Sequence, residues 1–572
     1  MKIHDLKCLR KPTALKIVKV RHGLAALMTI AVIAAAPALG QSAGIRFTDV
    51  TKAAGIQFVH NNGAYGQKYL PETMGPGCAF IDYDGDGWQD VLLINSEDWP
   101  GHKKSAGTMK LYHNNHNGTF TDKAEEAKIT LGNWSAGVTW GDYDGDGKLD
   151  LFISGYIHFD RDNLPESGNK VVGYAFCKFR GATGMCGPRG LKGEPDHLFH
   201  NNGDGTFSDV SVKAGVSDPN NYYGFTSVFV DLNGDQKPDL LVANDSVANY
   251  LYINKGDGTF EDDSYVSGFA VNKDGREVAS MGLGIGDYDN DGQVDIIDTD
   301  FSDDYKVLFH NDGDVSFTDV SYRAGIAQTT LPFVGWGDGF IDYDNDGWKD
   351  IFMVNGHVYP DAGDHDWGTS YAERPLLFHN LKNGKFEYIP PVVGTGLADV
   401  IPARGAAFGD LFNDGKIDVV INPIDGPAVL LRNVNSDKHH WVEIKLVGTG
   451  KSPKDAMCAT VYLKAAGMTQ RSDVISGGSY ISSNDQRLHF GLGDATDPGT
   501  AEIHWPDGKK ETFKLNAVDR IYTITEGEGI TGALCGGNPC PTEIAPAPAA
   551  KPAAANPPAP AAKAPAVKAS AK

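Results

Sequence analysis

A nine-residue acidic loop, D-x-D-x-D-G-x-x-D, recurs along this chain, and each copy runs straight into a short apolar strand. The copies begin at Asp82, Asp142, Asp231, Asp287, Asp342 and Asp410. Several carboxylates crowded into one turn repel one another unless a hard cation sits among them. Calcium takes roughly six to eight oxygens at about 2.3–2.6 Å, and a tight loop can supply them. Positions 1, 3, 5 and 9 offer side-chain oxygens and position 7 a main-chain carbonyl. The candidate ligand sets are Asp82, Asp84, Asp86, Trp88 and Asp90; Asp142, Asp144, Asp146, Lys148 and Asp150; and Asp231, Asn233, Asp235, Lys237 and Asp239. Two more are Asp287, Asp289, Asp291, Gln293 and Asp295, and Asp342, Asp344, Asp346, Trp348 and Asp350. Glycine at position 6 (Gly87, Gly147, Gly292, Gly347) permits the left-handed backbone such a turn needs.

The loop shares ligand logic with an EF-hand but closes at position 9 rather than with Glu at 12, and strands rather than helices follow it. The runs beginning at Val91, Leu151, Leu240, Ile351 and Val419 are apolar and β-branched, the composition of buried strands. A single copy would be explained by an Asp-Gly hairpin turn; six copies with acids in register point to calcium. The copies are unequal. Asn233 at position 3 and Gln236 in the glycine position should weaken the third, and Phe412 at position 3 removes a ligand from the sixth. Asn290 and Asn345, at position 4, need not ligate.

A second repeat lies between the loops: Leu111 to Asp122, Leu198 to Asp209, Leu251 to Asp262, Leu308 to Asp319 and Leu377 to Phe386 each read as two short strands around an Asn/Asp/Gly turn. One unit is then strand, acidic loop, strand, strand, turn, strand. Four strands per unit, repeated radially, predict an all-β protein with a β-propeller of six blades, a seventh of poorly matching sequence remaining admissible. Residues 45–55 match the last strand of a unit, as in Phe207 to Gly215. The N-terminal strand should therefore complete the last blade near Ala428 to Arg432, leaving no exposed edge.

These units resemble FG-GAP or VCBS repeats, the calcium-bearing propeller blades of integrin α-chains and many bacterial surface proteins. Beyond them, Gly477 to Asn484, Leu488 to Ala495 and Ile503 to Gly508 resemble an ASPIC/UnbV domain. Together, and in this order, they resemble the cartilage acidic protein family and its bacterial relatives over residues 45 to 527. The resemblance implies calcium binding, export and an interaction role, and carries no defined enzymatic activity. Cys458 departs from it, standing where glycine is expected in a tight turn or as a disulfide partner. The alternating segments Trp441 to Leu446, Ala459 to Leu463, Glu502 to Trp505 and Ile521 to Thr525 predict a small β-sandwich-like domain.

The organisation read from the sequence is a signal peptide over 1–40, the propeller over 41–437, the C-terminal domain over 438–527, a Cys-containing linker over 528–540 and a Pro/Ala-rich disordered tail over 541–572. The leader combines seven Lys/Arg residues with an apolar run from Leu24 and a small-residue cleavage site at Ala38 to Gly40. That run falls short of the ~20 residues of a membrane helix, so no transmembrane span is expected. The destination is the periplasm, the cell surface or the medium. The tail cannot bury apolar surface and should be extended. Of seven cysteines, Cys8 belongs to the leader; Cys177 with Cys186 and Cys535 with Cys540 are the preferred bridges, and Cys78 and Cys458 the preferred free thiols.

The formal charge is −23, and the six loops alone hold 22 aspartates, so much of the acidity belongs to the cation sites and nucleic acid is excluded as a partner. If every acidic loop joins the first two strands of its blade, the next connections emerge on the opposite face. Two of these are long, Tyr156 to Pro195 and His357 to Pro375, and loops on a rigid scaffold carry recognition. The second holds a candidate ligand face of His357, Asp361, Asp364, His365 and Asp366. The reading is a calcium-stabilised, non-enzymatic module binding an extracellular or periplasmic protein or glycan through that face. The alternatives are a secreted polysaccharide-acting enzyme on the same face, which would need convergent acid, base or nucleophile groups not evident here, and a structural surface or matrix component. Oligomeric state is not legible.

Overall fold

The computed structural model describes residues 47–103, 107–129, 137–164, 177–185 and 187–540. The expected leader, the tail and the Cys177–Cys186 bridge lie outside the described residues. Among those described, no helix is long and apolar enough to cross a membrane.

Six open four-stranded antiparallel sheets follow one another along the chain. Blade one is Cys78–Ile81, Asp90–Leu93, Lys110–Asn114 and Phe120–Asp122; blade two is Val138–Gly141, Asp150–Ile153, His197–Asn201 and Phe207–Asp209. Blade three is Gly224–Val230, Asp239–Asn244, Tyr250–Asn254 and Phe260–Asp262; blade four is Leu283–Gly286, Asp295–Asp298, Val307–Asn311 and Phe317–Asp319. Blade five is Gly335–Ile341, Asp350–Asn355, Leu376–Asn380 and Phe386–Tyr388. Blade six is Ala403–Gly409, Asp418–Pro423 and Val429–Asn433, and Phe47–Asp49 from the N-terminal side supplies its fourth strand. The closing pairs are Phe47 with Asn433, Thr48 with Arg432 and Asp49 with Leu431, antiparallel, as the matching repeat predicts. In each blade the acidic loop joins the first two strands.

First strands of successive blades pack side by side from blade two to blade six and from six to one. Close approach depends on glycine. A Cβ on Gly141 would come within 2.7 Å of the Phe229 ring of the next blade, and one on Gly409 within 2.9 Å of Phe80. An aromatic knob from one blade thus fills the hole a missing side chain leaves in its neighbour. Blades one and two flank a cavity of about 460 Å³ between Ile81 and Trp140.

The C-terminal domain is a sandwich. One sheet orders Leu488–Gly493, His440–Val447, Arg520–Thr525, Gly529–Cys535 and Asn538–Pro539; the other orders Met468–Asp473, Thr460–Ala465, Thr500–His504 and Lys510–Lys514. Phe490, Trp505 and Tyr522 fill the space between them. Residues 528–540, expected as a linker, are instead two strands of the first sheet. A Cys535–Cys540 disulfide ties their hairpin, with Cα atoms 5.0 Å apart. Cys78 and Cys458 are free. Cys458 adopts φ +67°, the left-handed conformation for which glycine was expected, so the turn is kept without the residue.

Residues 476–485 leave this sandwich and run through the centre of the ring, touching the first strand of all six blades. Ser483 N donates to Cys78 O (3.0 Å) and Ser479 N to Leu283 O (2.7 Å). Thr139 Oγ1 donates to Ser476 O (2.8 Å) and Ile481 N to Thr226 Oγ1 (3.2 Å). Asp338 N donates to Ser479 Oγ (3.1 Å), which itself donates to Ala406 O (2.8 Å). The Gly477–Asn484 segment is thus an axial plug.

Candidate functional site

The acidic loops share a hydrogen-bond frame that is complete in loops two to five. The position 1 carboxylate gathers the amides of positions 5 and 6: Asp142 accepts from Asp146 N and Gly147 N at 3.0 and 2.8 Å, and Asp342 from Asp346 N and Gly347 N at 3.0 and 2.8 Å. The position 5 carboxylate accepts the amide of position 7, as in Asp86 with Trp88 N at 2.8 Å. Position 9 reaches back to position 2 and across to the third strand, as in Asp90 with Tyr83 N at 3.2 Å and Asn114 N at 2.7 Å. Position 6 is left-handed in all six loops, including Gln236 at φ +66°. Position 4 is left-handed as well, which gives the asparagines there a role. Asn290, Asn345 and Asn413 adopt φ +59°, +59° and +52°. Their Nδ2 groups donate to Gly347 O (3.0 Å), Gly415 O (2.9 Å) and Gly87 O (3.3 Å), stapling each loop to the next.

One set of functional residues was not foreseen. His113, His200, His310 and His379, on the third strands, place Nδ1 3.2, 3.3, 3.2 and 3.1 Å from the position 9 carboxylates Asp90, Asp150, Asp295 and Asp350. The same nitrogens lie 3.3–3.7 Å from the position 3 carboxylates Asp84, Asp144, Asp289 and Asp344. The histidine in the repeated Leu-(Tyr/Phe)-His-Asn was its sequence signal. Such an imidazole fixes the orientation of carboxylates that point into a cation site.

The loops suit a hard cation. Asp82 Oδ1, Asp289 Oδ1 and Asp344 Oδ1 are buried oxygens with no hydrogen-bond partner among the described residues. Burial, reinforced by neighbouring carboxylates, pushes Asp287 up to about 8 and Asp150 to about 7. Burial likewise lifts Asp350 to about 7, against the hydrogen bond from His379. Unpartnered, mutually repelling oxygens in a preformed turn are what a bound calcium would satisfy, and positions 1, 3, 5 and 9 would hold it. Asp346→Ala is expected to remove one ion per chain and leave the protein folded. The loss is about 2.7 kcal/mol at a calcium concentration one hundred times the site's Kd. Bound calcium per chain and the melting temperature check this.

The C-terminal domain covers the loop face and touches every loop. Lys445 Nζ lies 2.8 Å from Asp82 Oδ2. Lys451 O lies 2.8 Å from where a Gly147 Cβ would stand. Arg471 donates to Asp231 O (2.7 Å) and Gly292 O (3.1 Å), Gly493 N to Asn345 O (2.8 Å), and Arg487 to Asp410 O (2.5 Å).

The opposite face is where the insertions meet. A cavity of about 520 Å³ opens there, lined by Met74, Trp99, Tyr156, Phe159, Glu194 and Phe225, with Tyr480 and Ile481 of the plug. A second, of about 300 Å³, shares Met74 and Phe225 and reaches Phe179 and Tyr359. The five candidate ligand-face residues are dispersed in environment. His357 is fully buried, its Nδ1 accepting from Tyr359 N (3.1 Å), with Phe179, Phe301 and Trp367 packed around the ring. Asp361 pairs with Lys68 at 3.0 Å and lies 3.9 Å from His365, which stacks on Trp367. Asp364 and Asp366 are exposed. Aromatic rings, rather than this polar set, dominate the cavity walls.

Comparison with known proteins places these features together. The FG-GAP-like repeat family matches residues 82–153, 190–242, 231–297 and 342–421, and the ASPIC and UnbV family matches 448–531. Cartilage acidic protein 1 of Xenopus tropicalis is 24% identical over 448 residues, 76% of this chain and 61% of that protein. The Homo sapiens protein of the same name is 25% identical over 449 residues, 76% of this chain and 60% of that protein. This chain thus spans about three fifths of the relatives it matches. Among solved structures, an Agrocybe aegerita lectin recognising non-reducing terminal N-acetylglucosamine aligns with 63% of this chain and 81% of its own, at 16% identity and a TM-score of 0.32. A likeness that small says nothing about ligand.

Proposed function

We propose that this chain, which joins FG-GAP-like repeats to a C-terminal ASPIC and UnbV domain, is an exported calcium-binding propeller that recognises a protein or glycan through its insertion face. The observation that carries this reading is the division of labour between the two faces. The acidic loops are covered by the C-terminal domain, and the plug closes the ring axis. An aromatic-lined cavity of about 520 Å³ is left on the far side. A concave apolar site with a few polar groups at its edge is the usual form of a ligand site. The Cys535–Cys540 bridge and the basic, then apolar leader support an oxidising destination.

The reading includes no chemical step: calcium holds the scaffold, and the cavity binds. Glycan arrays and peptide libraries screened with the calcium-loaded chain identify the ligand. Phe159→Ala is then expected to weaken binding at least tenfold, about 1.4 kcal/mol, in protein whose melting curve shows that it is folded at the assay temperature. Polysaccharide turnover by the purified chain would establish the enzymatic alternative. A ligand indifferent to Phe159→Ala and to substitutions around Tyr156 would place recognition elsewhere.

A further inference from the structure

The third strands place a histidine against four of the acidic loops, Ile253 against the third and an arginine against the sixth. In blade six the residue in the histidine position is Arg432, held in the same register because Asn433 N donates to Asp418 (2.9 Å) just as Asn114 N does to Asp90 (2.7 Å). Arg432 Nη2 lies 3.0 Å from Asp414 Oδ2, the position 5 carboxylate. Its guanidinium also lies 3.9 Å over the ring of Phe412, the residue standing where the position 3 carboxylate should be. Loss of one anion and gain of one cation therefore fall on adjoining side chains, Phe412 of the loop and Arg432 of the third strand. Most of the remaining carboxylate oxygens are satisfied from within, although Asp414 Oδ1 is buried with no hydrogen-bond partner among the described residues. Asp410 accepts from Phe412 N, Asp414 N and Gly415 N, and Asp418 from Leu411 N and Asn433 N.

We propose that Arg432 replaces the divalent cation of the sixth loop, so that this loop is closed by a tethered guanidinium and takes no metal. The inference rests on the calcium reading of the other loops. Its placement has a physical logic. Blade six is where the ring closes, Arg432 pairing in register with Thr48 of the N-terminal strand. A permanent charge there keeps the closing blade folded when free calcium falls, because a guanidinium cannot dissociate or deprotonate.

Two variants test it. Calcium bound per chain is counted by elemental analysis in the wild type and in the double variant Phe412→Asp with Arg432→His, which restores the pattern of loops one, two, four and five. The double variant is expected to bind one more ion than the wild type. Arg432→Ala leaves the loop with neither cation, and its melting temperature should fall by the same several degrees in calcium and in chelator. Asp346→Ala, by contrast, should lower the melting temperature only in calcium. A folded double variant with the wild-type ion count, or an Arg432→Ala variant that melts like the wild type in chelator, would overturn the proposal. A wild type that binds no calcium defeats the calcium reading instead, and the Arg432→Ala melt still decides whether the guanidinium holds the loop.

Discussion

Removing calcium is expected to lower the melting temperature by on the order of 10–20 °C, reversibly. Each loop that binds the ion only when folded contributes about 2.7 kcal/mol at one hundred times its Kd. Four histidine-bearing loops together then supply on the order of 10 kcal/mol, comparable with the ~5–15 kcal/mol net stability of an ordinary domain. The charge left behind adds to the loss, since position 1, 3, 5 and 9 carboxylates buried beside one another must repel or take up protons. The effect should reach the C-terminal domain, because Arg471, Arg487 and Gly493 bind the main-chain carbonyls of loops three to six. A thermal melt followed by circular dichroism, in calcium, in chelator and after calcium is returned, checks the size of the shift and its reversal. Coincident curves would mean that the turns are held by hydrogen bonds alone.

Tyr480→Ala is expected to destabilise the protein by about 3–5 kcal/mol, the cost of deleting a buried aromatic ring and leaving a cavity. The ring is fully buried, with centroids 4.8 Å from Trp336 and 5.4 Å from Phe225, and its hydroxyl donates to Met74 O at 3.1 Å. It sits in a segment that touches all six blades, so the loss should loosen the ring as a whole rather than a single blade. Tyr480→Phe, which removes only the hydrogen bond, should cost about 1 kcal/mol. Denaturant midpoints give both values. The bound-calcium count of folded Tyr480→Ala should match the wild type, because the ring is remote from the loop ligands; a lower count would show that plug and metal sites are coupled.

What could be seen in the chain and what could not follows from the range of the interactions. The acidic loops, the strands after them and the closing strand at Phe47 are local patterns with a repeat to check them against, and each appears where expected. The Cys535–Cys540 bridge spans five residues and was equally readable. The plug was not. Gly477 to Asn484 has neither helical nor strand periodicity, and its partners, from Cys78 to Phe408, are mostly main-chain groups scattered over hundreds of residues. The strands at Gly529–Cys535 and Asn538–Pro539 carry two glycines and little alternation, so their place in a sheet is decided by the neighbouring Arg520–Thr525 strand. His113 and its equivalents were visible as a repeat, but only the fold brings them against carboxylates from another strand. The polar run around Asp361 to Asp366 advertised a ligand set, whereas the structure commits Asp361 to Lys68 and buries His357 among aromatic rings.

The central claim is that divalent cations occupy the acidic turns of the propeller. Elemental analysis of folded chain, equilibrated in calcium and freed of unbound ions by gel filtration, tests it most directly. The account predicts four or five calcium ions per chain, including those in the loops beginning at Asp82, Asp142, Asp287 and Asp342, and none in the loop beginning at Asp410. A folded chain that retains no calcium, and whose Asp346→Ala variant has the same ion content, would contradict it.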